Sequence, residues 1–181
     1  MSQSNQKSLL RLLLLAALAV LLFHAPFWLI APFKWFEVFF HEISHGLAAL
    51  LTGGSIDKID IQYDGSGTCY YRGGYRPVIT FSGYAGAALW GWVIYEAGHA
   101  SRHKTSVLLI AILLTILLVS GVLRVRDMQM AYIMMIMSAL LASTWRFGSL
   151  VVMMFFVVFI GIFLLFASIR SPVFLCAHRS M

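Results

Sequence analysis

The chain reads as an all-α polytopic membrane protein of about six transmembrane helices, with a small β-hairpin inserted after the second. Hydrophobic residues make up 61% of its 181 positions and charged residues 11%. Soluble domains carry roughly 45–50% and 25%, so the chain has too little polar surface to coat a water-soluble body. The apolar residues also gather into stretches near the ~20 residues that a helix needs to cross the hydrocarbon core. Between the second and third stretches the pattern changes to a period of two, the signature of a strand. The same composition excludes a disordered chain, and two cysteines, Cys69 and Cys176, cannot build a disulfide framework.

The apolar stretches run over Leu9–Ile30, Trp35–Thr52, Thr80–His99, Ser106–Leu123, Met128–Ser143 and Phe147–Ile169. The first begins like a secretory signal, with Lys7 and Arg11 before Leu12–Phe23. Phe23, His24 and Ala25 make a poor cleavage site, and apolar sequence continues past Pro26, so an uncleaved anchor is expected. Residues 55–79 form the strand insert. Ile59, Ile61 and Tyr63 alternate with Lys58, Asp60 and Gln62, and Asp64-Gly65-Ser66-Gly67 supplies turn chemistry. Thr68–Arg72 is a second strand, and Gly73-Gly74 makes a further turn before Tyr75–Phe81.

The formal charge of +6 records topology rather than nucleic-acid binding, because the basic residues are scattered between apolar segments without a cluster. Six crossings put both termini on one side. With that side cytoplasmic, Lys7, Arg11, Lys58, Arg72, Arg76, Arg124, Arg126, Arg170 and Arg179 lie inside, and Lys34, Arg102, Lys104 and Arg146 outside. The bias of nine to four favours cytoplasmic termini and a cytoplasm-facing strand insert.

Chemistry concentrates in the second stretch, which contains His41-Glu42-Ile43-Ser44-His45. On a helix, residues i and i+4 stand one above the other, so both imidazoles reach one point at zinc-binding distance. Glu42 sits one step round, placed to take a proton from a water that the metal activates without itself being a ligand. Incidental polar residues fit poorly with this setting: a charge at the bilayer centre costs roughly 2.5–3.5 kcal/mol even on insertion scales. Glu37 lies one turn before His41 and has two readings, a hydrogen-bond acceptor for the imidazole or an interfacial carboxylate beside Lys34.

His41 to Gly54, Asp64-Gly65-Ser66-Gly67, Arg72-Gly73-Gly74 and the run Ser82 to Ala88 resemble the site-2 protease family of intramembrane zinc metallopeptidases, in its compact bacterial branch. The resemblance covers about residues 35 to 100. It implies an integral protein of the bacterial cell membrane that hydrolyses peptide bonds of membrane-protein substrates. One zinc ion would be held by His41 and His45, with Glu42 as the base. It also implies an acidic zinc ligand from a later transmembrane segment and a strand insert that presents an edge to an extended substrate.

No such acid stands inside the last three stretches. Asp127 follows Arg124 and Arg126 at a helix boundary, where a surface salt bridge is the expected role rather than ligation. Glu96 and His99, spaced i and i+3, belong to the headgroup zone, and Cys176 and His178 to a polar tail. The departure supports an alternative, a catalytically inactive or truncated relative acting as a membrane adaptor or regulator. A transporter using the buried His and Glu accounts for the intramembrane charge but not for the metal spacing. Gly83, Ala87 and Gly91 form a small-residue stripe suited to close helix packing, and Met128, Met130, Met134, Met135 and Met137 are read as apolar filler rather than a copper site.

Overall fold

The computed structural model describes residues 24–99, 110–113, 115–116 and 127–178, together with helical positions 6, 9–10, 13–14, 17–18 and 20–21; side chains are described through residue 168, except those of residues 99 and 150. The elements in order are α1 (Phe27–Leu51), β1 (Ser55–Ile61), β2 (Gly67–Arg72), α2 (Arg76–His99), α3 (Met128–Phe147) and α4 (Leu150–His178). Among the described residues, three helical segments are long and apolar enough to cross a membrane: Arg76–Gly98, Met128–Phe147 and Val151–Ser168. A six-helix count extends beyond the described residues, since only 110–113, 115 and 116 of the fourth expected stretch are described, as helix.

The first two stretches divide elsewhere than expected. The break falls at His24–Pro26, and the expected connection at 31–34 lies inside α1. Pro26 caps α1 in an extended conformation, φ −54° and ψ 140°. Pro32 sits within the helix, where it removes one backbone hydrogen bond without ending it. At 25 residues, α1 is about 37 Å long, enough to span, although Lys34, Glu37 and Glu42 interrupt its apolar character. Its C-terminus is a Schellman stop: Gly54 N–H donates to Ala49 O (2.7 Å) and Gly53 N–H to Leu50 O (3.2 Å), with Gly53 at φ +84°.

The hairpin is shorter than the expected insert. β1 and β2 pair antiparallel with Ile59 opposite Cys69 and Ile61 opposite Gly67, and an irregularity falls between Ile56 and Lys58. Ile59, Ile61 and Cys69 point into the core while Tyr63 is exposed in the turn. Gly65 takes φ +78° there, and Asp64 accepts from the amide (2.9 Å) and hydroxyl (2.7 Å) of Ser66, which holds its carboxyl below the usual aspartate range. Residues 76–79 belong to α2, which starts four residues earlier than the expected Thr80, because Pro77 fits a first helical turn whose amides lack intrahelical partners.

Helix α1 is the centre of the fold. Phe36, Phe39 and Phe40 are almost completely buried, and Phe33 meets Phe159 of α4 edge-on with ring centroids 4.9 Å apart. Helices α2 and α4 pack along much of their length through small residues. A Cβ on Gly161 would lie 2.6 Å from Tyr95 N, and one on Gly91 2.9 Å from Gly161 O, so backbone meets backbone at this crossing. The small-residue stripe therefore serves two neighbours, Gly91 facing α4 and Gly83 facing α1.

Helices α3 and α4 run longer than the expected Met128–Ser143 and Phe147–Ile169, to Phe147 and His178. Met130, Met134 and Met137 are buried in the core, in keeping with apolar filler. Asp127 is the N-cap of α3, its side chain accepting from Gln129 N–H at 3.4 Å; the arginines of the expected salt bridge lie outside the described residues. Asp127→Ala should lower stability by about 1 kcal/mol through the lost cap, whereas Asp127→Asn should not. Thermal unfolding midpoints of the two variants in detergent check this.

Candidate metal centre

Helical spacing brings the imidazoles of His41 and His45 together, Nε2 to Nε2 at 3.1 Å. His45 Nδ1 lies 2.6 Å from the carbonyl oxygen of Ile79 in the first turn of α2. A carbonyl can only accept, so Nδ1 carries the proton and Nε2 presents its lone pair. The same carbonyl accepts from Ser82 Oγ (2.7 Å), and Ser82 Oγ also reaches Ser44 O at 3.1 Å, tying α2 to α1 beside the site. Gly83 lets this happen: a Cβ there would stand 2.4 Å from His45 Nε2 and 2.6 Å from His41 Cε1.

Glu42 is 6% exposed and accepts a hydrogen bond from the backbone amide of Cys69 on β2. Gly67, at the start of that strand, packs against the same side chain. A Cβ on Gly67 would meet Val38 Cγ1 at 2.4 Å and Glu42 Cγ at 2.8 Å. The hairpin thus lies along α1 and fixes Glu42. Gly67→Ala should push strand and carboxylate apart, at a packing cost of about 1–3 kcal/mol. Protection of the Cys69 amide against hydrogen exchange should fall while the His45–Ile79 contact is unaffected; unchanged protection would contradict this placement.

Glu37, 3% exposed, is ion-paired with Lys34 and lines the same cavity as His41. Its expected readings therefore meet at one place, a carboxylate beside Lys34 on the His41 face, and it makes no hydrogen bond to His41 among the described residues. The imidazole of His45 instead uses the Ile79 carbonyl, and sequence reading missed this partner because a backbone oxygen has no residue signature. The cavity measures about 140 Å³ and is lined by Glu37, Val38, His41, Glu42, Gly67 and Tyr84. Tyr84 also escaped notice as a site residue. Its ring meets the His41 ring at 4.6 Å and 70°.

Two imidazoles with converging Nε2 atoms are a fitting donor set for zinc: tetrahedral ligands at about 2.0–2.1 Å from the ion stand about 3.3 Å apart, close to the distance found. Among the described residues no third His, Cys, Asp or Glu joins them. Asp127 caps α3 and Glu96 is exposed. The side chains of His99, Cys176 and His178 lie outside the described residues, although the backbone at Cys176 and His178 belongs to α4 rather than to a tail.

The fold and this helix-borne cluster define a membrane protein related to metallopeptidases. The family model described as peptidase M50B-like matches residues 12–181, well past the 35 to 100 that the motifs cover. The chain belongs to that family, a branch of the site-2 proteases. No curated protein and no solved structure matches it.

Proposed function

We propose that the chain is a zinc-dependent membrane endopeptidase acting on membrane-protein substrates, with His41 and His45 as metal ligands and Glu42 as the base. The observation that carries this reading is the approach of the two Nε2 atoms with His45 Nδ1 held by the Ile79 carbonyl. An acceptor on the remote imidazole nitrogen fixes the ligating tautomer and raises its basicity. Zinc, when bound, acidifies a water and polarises a carbonyl.

The protein's own groups do the rest. The Cys69 amide holds Glu42 beside the cavity, where its carboxylate takes a proton as water oxygen bonds to the scissile carbonyl carbon. The same proton then passes to the amide nitrogen as the C–N bond breaks, leaving a carboxylic acid and an amine. Val38, Gly67 and Tyr84 form the wall of the cavity around that carboxylate. Both termini and the hairpin would face the cytoplasm, following the distribution of basic residues.

The test is cleavage of a reporter with a single transmembrane helix, co-reconstituted in liposomes. Cleavage that 1,10-phenanthroline stops and added zinc restores is expected. No cleavage of any reporter by metal-loaded protein would favour the second reading, an inactive relative that binds membrane proteins as an adaptor or regulator. The lack of a third ligand among the described residues supports that alternative.

A further inference from the structure

Of the six residues that line the cavity beside His41, Tyr84 alone offers a side-chain hydroxyl. Glu37 and Glu42 are carboxylates, Val38 and Gly67 have no polar side chain, and His41 directs Nε2 towards His45. The Tyr84 ring is braced against the His41 imidazole, and its hydroxyl makes no hydrogen bond among the described residues. Its position is fixed by the residue before it, because Gly83 is wedged against both imidazoles and sets the register of α2 over α1.

Hydrolysis in this cavity creates a need that the other lining side chains cannot meet. When water oxygen bonds to the scissile carbon and its proton goes to Glu42, the carbonyl electron pair moves onto oxygen, producing negative charge in a space already lined by two carboxyl groups. Beside the metal, a hydrogen-bond donor among the lining side chains stabilises that oxygen. We propose that Tyr84 is a catalytic residue of the peptidase, donating its phenolic hydrogen bond to the tetrahedral oxyanion. Tyr84 keeps its proton throughout. When the C–N bond breaks, the electron pair returns to the carbonyl and Glu42 gives its proton to the leaving amine.

This assignment rests on the peptidase reading, so its test has an arm independent of turnover. Tyr84→Phe keeps the ring against His41 and removes only the hydroxyl. In detergent-purified, zinc-loaded protein, kcat for a reporter peptide should fall about 10²-fold, with KM and zinc content unchanged, as for loss of one oxyanion donor. Binding of N-phosphoryl-leucinamide, whose tetrahedral phosphoryl oxygens imitate the oxyanion, should weaken at least tenfold in Tyr84→Phe, while binding of leucinamide should not change.

A Tyr84→Phe variant that equals the wild type in both kcat and phosphoryl binding would overturn the proposal and leave the peptidase reading intact. Loss of zinc from the variant would also overturn it, by making the phenol a metal ligand. A rise in KM with unchanged kcat would reduce Tyr84 to substrate packing. A wild type that cleaves no reporter, yet binds the phosphoryl probe through the Tyr84 hydroxyl, would uphold the anion donor and sink the peptidase reading.

Discussion

Gly83→Ala should cost the protein its metal while leaving its helices in place. The added methyl would sit 2.4 Å from His45 Nε2, 2.5 Å from His45 Cε1 and 2.6 Å from His41 Cε1, so at least one imidazole must turn away. His45 cannot swing without breaking its 2.6 Å bond to Ile79 O, and that carbonyl is anchored in the first turn of α2. Separating the helices instead would strain the Ser82 bridge between α1 and α2. Either response moves the two Nε2 atoms apart. Zinc affinity should drop at least 10–100-fold, the range seen when a partner that orients a ligand is lost. Gly86→Ala is the matched control: its methyl meets Ser44 Oγ at 2.3 Å and neither imidazole. Both variants should lose about 1–3 kcal/mol to overpacking. Only Gly83→Ala should lose zinc, as read by equilibrium competition with a fluorescent chelator.

Glu42→Gln should abolish proteolysis by a different route. The amide has the shape of the carboxylate and its carbonyl can still accept from the Cys69 amide, so the hairpin should stay seated. What disappears is the ability to take a proton. General-base loss is worth roughly 10²–10⁴-fold in rate, and it should appear in kcat with zinc content unchanged. A variant that retained half of wild-type turnover would remove Glu42 from the chemistry. Together the two substitutions separate holding the metal from using it, because each spares what the other destroys.

The pair His41 and His45 was legible because a helix converts a spacing of four into spatial adjacency whatever surrounds it. The hairpin was legible for a similar reason, Ile59 and Ile61 alternating towards the core and Gly65 marking the turn. Helix boundaries were harder to read. Residues 25–33 are so uniformly apolar that hydropathy cannot say where one helix stops; the chain breaks at Pro26, while Pro32 stays inside α1. Asp127 directly before an apolar run is a helix-start signal, yet the flanking arginines drew the reading to an ion pair.

The groups that finish the site were hidden for physical reasons. Ile79 contributes a carbonyl and Cys69 an amide, and no side-chain pattern reports either. Gly67 and Gly83 matter for the methyl groups they lack against α1. Tyr84 stood within a run of small residues that suggested helix packing, and packing is also what sets its ring on His41. Each of these contacts joins α1 to a later element, so none is local in sequence.

The central claim is that His41 and His45 hold a zinc ion together. Elemental analysis of detergent-purified protein after exhaustive dialysis without chelator, wild type beside His45→Ala, tests it most directly. Stoichiometric zinc in the wild type and none in the variant is the expected result. A folded wild type that retains no zinc, or a variant that retains as much, would contradict the account.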